Sequence, residues 1–70
     1  MDVYTIFDRP EDHPACFVVR RFEIGPGWAR PRAIVALAAS LEAARAAIPP
    51  GLVRLARDPS DPPSVVETWL

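Results

Sequence analysis

Cys16–Ile24, read CFVVRRFEI, is the stretch on which the fold turns. Phe17, Val18, Val19, Phe22 and Ile24 are β-branched or aromatic, and the run is too short for a typical helix, so it reads as a strand. Gly25-Pro26-Gly27 breaks it, and a connection is expected to run on to Arg32. Its interior carries a conflict. Strand side chains alternate between faces, so Phe17 and Val19 point one way while Phe22 and Ile24 point the other, with Arg20 and Arg21 at the switch. A β-bulge at Arg20–Arg21 returns all four apolar residues to one core face and is the expected arrangement. The alternative leaves Arg20 on the helix-covered face among Val18, Phe22 and Ile24, where it needs a carboxylate partner.

Working outward, Val3–Phe7 (VYTIF) is a short strand and Asp8–Pro14 (DRPEDHP) a Pro-rich acidic loop. Ala33–Ala38 (AIVALA) fits strand or helix, and Ile34 and Val35 favour strand. Ser40 has the character of a helix N-cap, with Glu42 in the first turn beside the positive end of the dipole. Leu41, Ala44 and Ile48 fall on one face with Ala47 beside them, and Glu42 pairs with Arg45 on the other. Pro49-Pro50-Gly51 ends the helix, which therefore covers about 40–48. Leu52–Arg57 and Ser64–Leu70 close the chain as strands around the Asp58–Pro63 loop. The expected fold over residues 1–70 is a single small α+β domain. It is a mainly antiparallel sheet of four or five strands, in chain order β-β-β-α-β-β, with one helix packed on one face.

Half of the 70 residues are hydrophobic, but eleven of those are Ala, so the core is small. A core of this size supplies ~3–5 kcal/mol, and domains so small often add a disulfide, a metal or a second subunit. Cys16 is the single cysteine, and Cys16 with His13 gives two of the four ligands of a structural zinc. That leaves good packing or self-association, and size alone makes homodimerisation a hypothesis to test. The net charge of −1 gives no pull toward nucleic acid or an anionic membrane. No segment has the length and apolarity of a membrane span or the pattern of a signal peptide, so a cytoplasmic protein is expected.

The reactive side chains are few. The acidic loop Asp8, Glu11, Asp12 and His13 offers oxygen and imidazole donors but lacks EF-hand spacing, and its prolines explain a solvated turn. Cys16 with His13 suggests a thiolate–imidazole pair, yet Cys16 opens an apolar strand, where free cysteine behaves as a small hydrophobe. Ser40, Ser60 and Ser64 have local roles as cap or turn residues. No enzyme activity and no cofactor are expected.

The surface lead is a charge segregation. Arg20, Arg21, Arg30 and Arg32 outweigh Glu23 between Cys16 and Arg32, whereas residues 1–15 and 58–70 are each net acidic. With Trp28 among the arginines, this is the pattern of forks for phosphate and a ring for a base. The competing reading pairs those arginines with the chain's own acids. Trp69, on a terminal strand expected at a sheet edge, is either an interface anchor or a core residue. The candidate binding surface is Arg20, Arg21, Trp28, Arg30, Arg32 and Trp69.

Ser40-Leu41-Glu42-Ala43-Ala44-Arg45, Ile48-Pro49-Pro50-Gly51-Leu52 and Val65-Val66-Glu67-Thr68-Trp69-Leu70 together resemble a group of short uncharacterised bacterial proteins of about 70 residues. The likeness runs from Phe17 onward, rests on structural motifs and implies no activity. Ser40-Leu41-Glu42-Ala43-Ala44 also resembles in part the helix opening of the arm-binding domain of phage-type integrases. It departs from that pattern in a Glu one place early and in the lack of Lys. The functional expectation is a protein-interaction module, self-associating or docking to a protein partner. The alternative is nucleic-acid binding through the Arg/Trp surface.

Overall fold

The CFVVRRFEI stretch forms β2 (Phe17–Gly25) in a computed structural model that describes all 70 residues. It pairs on one side with β1 (Asp2–Asp8) and on the other with β3 (Trp28–Ala38). Helix α1 (Leu41–Ala46) follows, then β4 (Arg54–Ala56) and β5 (Val65–Trp69). The sheet has five strands in the spatial order β3-β2-β1-β5-β4, and every pairing is antiparallel. The α+β class and the chain order are as expected, while the element limits differ in detail. Ala33–Ala38 is strand. The helix has six residues rather than the span 40–48, because Ala47 already serves as its C-cap and Pro49 follows. No helix is long and apolar enough to cross a membrane.

β3 begins five residues earlier than its sequence suggested. Pro26 and Gly27 make a two-residue turn between Gly25 and Trp28. Proline fixes the first corner near φ −65°, and Gly27 takes φ 73° at the second, the pattern of a type II turn. Pro31 is tolerated in β3 because this strand is a sheet edge.

The expected bulge in β2 is absent. Pairing of β1 with β2 runs unbroken from Asp2↔Glu23 to Asp8↔Phe17, so Arg20 and Arg21 alternate strictly. The irregularities opposite them belong to β3: Ala36 faces Val19 and Ile34 faces Arg20, which leaves Val35 as an extra residue. Val18, Arg20, Phe22 and Ile24 do share a face, but the helix covers the other one. There Ile6, Val19, Ala38 and Ala44 form the buried cluster, with Tyr4, Phe17, Leu41, Ala47, Ile48, Val66 and Trp69 packed around it. Only nine residues in the chain are buried.

Ser40 caps α1 with extended backbone, its Oγ accepting from the Ala43 N–H at 3.1 Å. β5 is an interior strand between β1 and β4, which corrects its expected place at an edge. The true edges are blunted. β4 has three residues, and β3 carries Pro31 and two register shifts, devices that discourage pairing with another chain.

Candidate interaction surface

The arginines do not form one patch. Arg21 pairs with Tyr4 in the register and therefore shares the helix-covered face, where its Nη1 donates to the Asp2 carboxylate at 3.2 Å. Arg32 holds Glu23 through Nε and Nη2, and this pair keeps the Glu23 carboxyl below its ordinary range. Arg30 stacks over the Trp28 indole, 5.1 Å from the ring centre. Trp28 itself lies exposed at the hairpin end, its ring against Gly25. Arg20 is on the opposite face and makes no ion pair or hydrogen bond through its guanidinium. Two of the four arginines are thus tied to the chain's own acids, as the competing sequence reading had it.

Trp69 also faces inward. It packs against the core cluster, and its indole N–H donates to Glu67 Oε2 at 2.7 Å. Glu67, 1 % exposed, is the one buried charged residue. Its carboxylate also accepts from Arg45 Nε at 3.0 Å and Nη2 at 2.7 Å, with Arg54 Nη1 at 3.8 Å. Arg45 therefore turns to β5, not to Glu42 as its helical spacing suggested. The Arg45 hydrogen bonds, aided by Trp69, hold the Glu67 carboxyl below its ordinary range against the opposing effect of burial. A carboxylate so fully engaged is a poor proton acceptor near neutrality. Its work is to clamp α1 to the sheet.

No three side chains among His, Cys, Asp and Glu lie together in a metal-holding group. Cys16 is a free, half-buried thiol, and His13 meets it through backbone, the Cys16 N–H donating to the His13 carbonyl.

The helix-free face is the larger feature. Val3, Thr5 and Phe7 of β1 lie beside Phe22, Arg20 and Val18 of β2, with Thr68 and Val65 of β5 on the other flank. Phe7 and Phe22 rings meet at 6.3 Å, tilted by 43°. Between the Phe22–Ile24 ridge and the Asp61-Pro62 loop runs a groove of about 440 Å³, open to solvent. The Thr5 and Thr68 hydroxyls, 3.3 Å apart, satisfy each other within it. A smaller cleft of about 240 Å³ adjoins at Phe7, between Arg20 and the Pro10–Asp12 turn. Leu37 on β3 and Leu55 on β4, paired with Val18 and Thr68, extend the apolar surface and remain 53 % and 49 % exposed.

Sequence reasoning missed this face because the helix could cover either set of alternating residues. It also missed the clamp, whose only signal was a lone acid between Val66 and Trp69. Compared with known proteins, the chain matches no family model, no curated protein and no solved structure.

Proposed function

We propose that this chain is a non-enzymatic protein-interaction module that works through its helix-free sheet face. One observation carries the reading: apolar residues from all five strands lie on a face that no helix covers. Val3, Val18 and Val65 are buried on it, while Phe7, Phe22 and Ile24 stay partly exposed and Leu37 and Leu55 exposed. Exposed apolar residues grouped on one face mark an interaction site. The groove has the volume of a small-ligand pocket, but such pockets enclose most of their ligand, and this one is an open trough. The free thiol of Cys16 suits a reducing compartment, so the reading includes the cytosol.

Nucleic-acid binding is the second reading, favoured by the Arg30–Trp28 stack and the unpaired Arg20. It has less support, since Arg21 and Arg32 are engaged and Arg20 lies on the other face of the sheet.

Retention of partners on the immobilised chain separates the two. The interaction reading expects protein that soluble wild type displaces and Phe22→Asp does not. The same retention is expected to survive Arg21/Arg30/Arg32→Ala. Salt-sensitive capture of nucleic acid, lost in the triple-Ala variant, would put the second reading first.

A further inference from the structure

Resting on that interaction reading, we propose that the groove on the helix-free face takes an extended segment of a partner protein. The segment presents a large apolar side chain flanked by Lys or Arg. Shape limits the occupant to a segment, and charge sets its sign.

Most of the face is already covered by the chain itself. Val3, Thr5, Val18 and Val65 are among its nine buried residues, so β1 and its neighbours make a floor rather than a flat surface for a second sheet. What stays open is the trough of about 440 Å³ above Val3 and Thr5. Phe22 and Ile24 wall it on the β2 side and Asp61-Pro62 on the β5 side. An apolar trough with an open roof admits one side chain from above, while the backbone that carries it runs over the rim. On the floor the Thr5 and Thr68 hydroxyls satisfy each other at 3.3 Å, so an apolar group can cover them without leaving either unpaired.

Charge comes from two loops that meet at one end of the groove. The Asp8 N–H donates to the Ser64 carbonyl at 2.7 Å, which brings the loop after β1 against the loop before β5. Together they hold five acids, Asp8, Glu11, Asp12, Asp58 and Asp61, against Arg9 and Arg57. Arg9 is engaged by Asp8 at 3.5 Å, and Arg57 donates to the Asp61 carbonyl at 3.0 Å rather than to a carboxylate. Asp61 stands on the rim itself. One of its carboxylate oxygens accepts from the Asp58 N–H at 3.0 Å, and no cation of the chain lies within ion-pair reach of that carboxylate. Arg20 is the one cation beside the groove, and it stands in the adjoining cleft with Asp12. The rim is therefore acidic where the loops build it, and a partly exposed carboxylate without a counter-ion favours a Lys or Arg from outside.

The test is an NMR titration of the isotope-labelled full chain with three capped tripeptides, Lys-Phe-Lys, Glu-Phe-Glu and Lys-Ser-Lys. Lys-Phe-Lys is expected to shift the amides of Val3, Thr5 and Phe22 saturably, and to bind less well as salt rises. Glu-Phe-Glu should bind about tenfold more weakly or worse, and Lys-Ser-Lys should leave those amides in place. Asp61→Asn, which keeps an acceptor for the Asp58 N–H, should lower the Lys-Phe-Lys affinity about two- to fivefold. Phe22→Asp, with circular dichroism to confirm folding, should abolish the shifts. No shift at millimolar peptide, equal affinity for the Lys and Glu peptides, or an Asp61→Asn variant that binds like wild type would overturn the proposal. A sedimentation mass that doubles with concentration and stays monomeric in Phe22→Asp would put a second copy there instead. If the peptides fail while the immobilised chain still retains protein through Phe22, the segment chemistry falls alone. Loss of that retention too would end the interaction reading with it.

Discussion

Arg45 grips the Glu67 carboxylate with a two-pronged fork, Nε to Oε2 at 3.0 Å and Nη2 to Oε1 at 2.7 Å, across 22 positions of sequence. The Trp69 indole adds a third donor from the same strand. Removing the carboxylate leaves the indole N–H and the fork without an acceptor. Breaking a buried pair from one side costs about 3–5 kcal/mol, and the partial exposure of Arg45 brings the expectation for Glu67→Ala to about 2–3 kcal/mol. Chemical denaturation measures it. Glu67→Gln, which keeps an acceptor for Trp69, should lose less.

The same carboxylate makes the fold acid-sensitive. Its folded pKa lies below the ordinary value, so between the two the unfolded chain binds a proton that the native one does not. The stabilisation is therefore complete above the ordinary carboxylate range and is lost as pH falls through the folded value. Glu23, held low by Arg32, and Asp58, held low by the Ser60 hydroxyl and N–H, act in the same direction from exposed sites. Thermal melts below pH 5 should show wild-type stability falling and the Glu67→Gln curve flatter. Parallel curves for the two proteins would remove Glu67 from the account.

What the sequence made legible was local. Cys16–Ile24 announced a strand through its residue types, Gly25-Pro26-Gly27 a corner, and Ser40 a cap three positions before its N–H donor. Arg45 was legible only as far as its helix, where Glu42 was the visible partner; Glu67 lies on another element, and no helical spacing points to it. The face of the sheet was ambiguous for a similar reason. Phe17 and Val19 alternate with Val18, Phe22 and Ile24, so both faces of β2 are apolar and pattern alone does not say which one a short helix covers. The arginines failed as a cluster because strict alternation sends neighbours Arg20 and Arg21 to opposite faces.

The β2–β3 corner distinguishes space from backbone. A Cβ at Gly25 would collide with the Trp28 indole, but that ring is 44 % exposed and free to swing outward. Gly25→Ala should therefore displace the ring from Arg30 and alter indole fluorescence and near-ultraviolet dichroism while stability changes little. Gly27 has open space but φ 73°, where an L side chain is strained. Gly27→Ala should cost about 1–2 kcal/mol and leave the indole signals nearly as they were. Reversed behaviour of the two variants would contradict the turn geometry.

Ser40 tests how far the short helix stands on its own cap. Its Oγ accepts from the Ala43 N–H while its carbonyl accepts from Ala44, so one residue starts both bonding patterns of α1. With six residues the helix is far below the length that is stable alone, and packing of Ala44 together with the Arg45 clamp must supply the rest. Ser40→Ala should then lower stability by about 1 kcal/mol, Ser40→Gly by a few tenths, and Ser40→Asp hardly at all. For a domain of this size 1 kcal/mol moves the melting temperature by roughly 4–8 °C, well within calorimetric reach. If Ser40→Ala melts with the wild type, the clamp and the packing alone hold α1 in place, and Glu67→Ala should then abolish the helix outright.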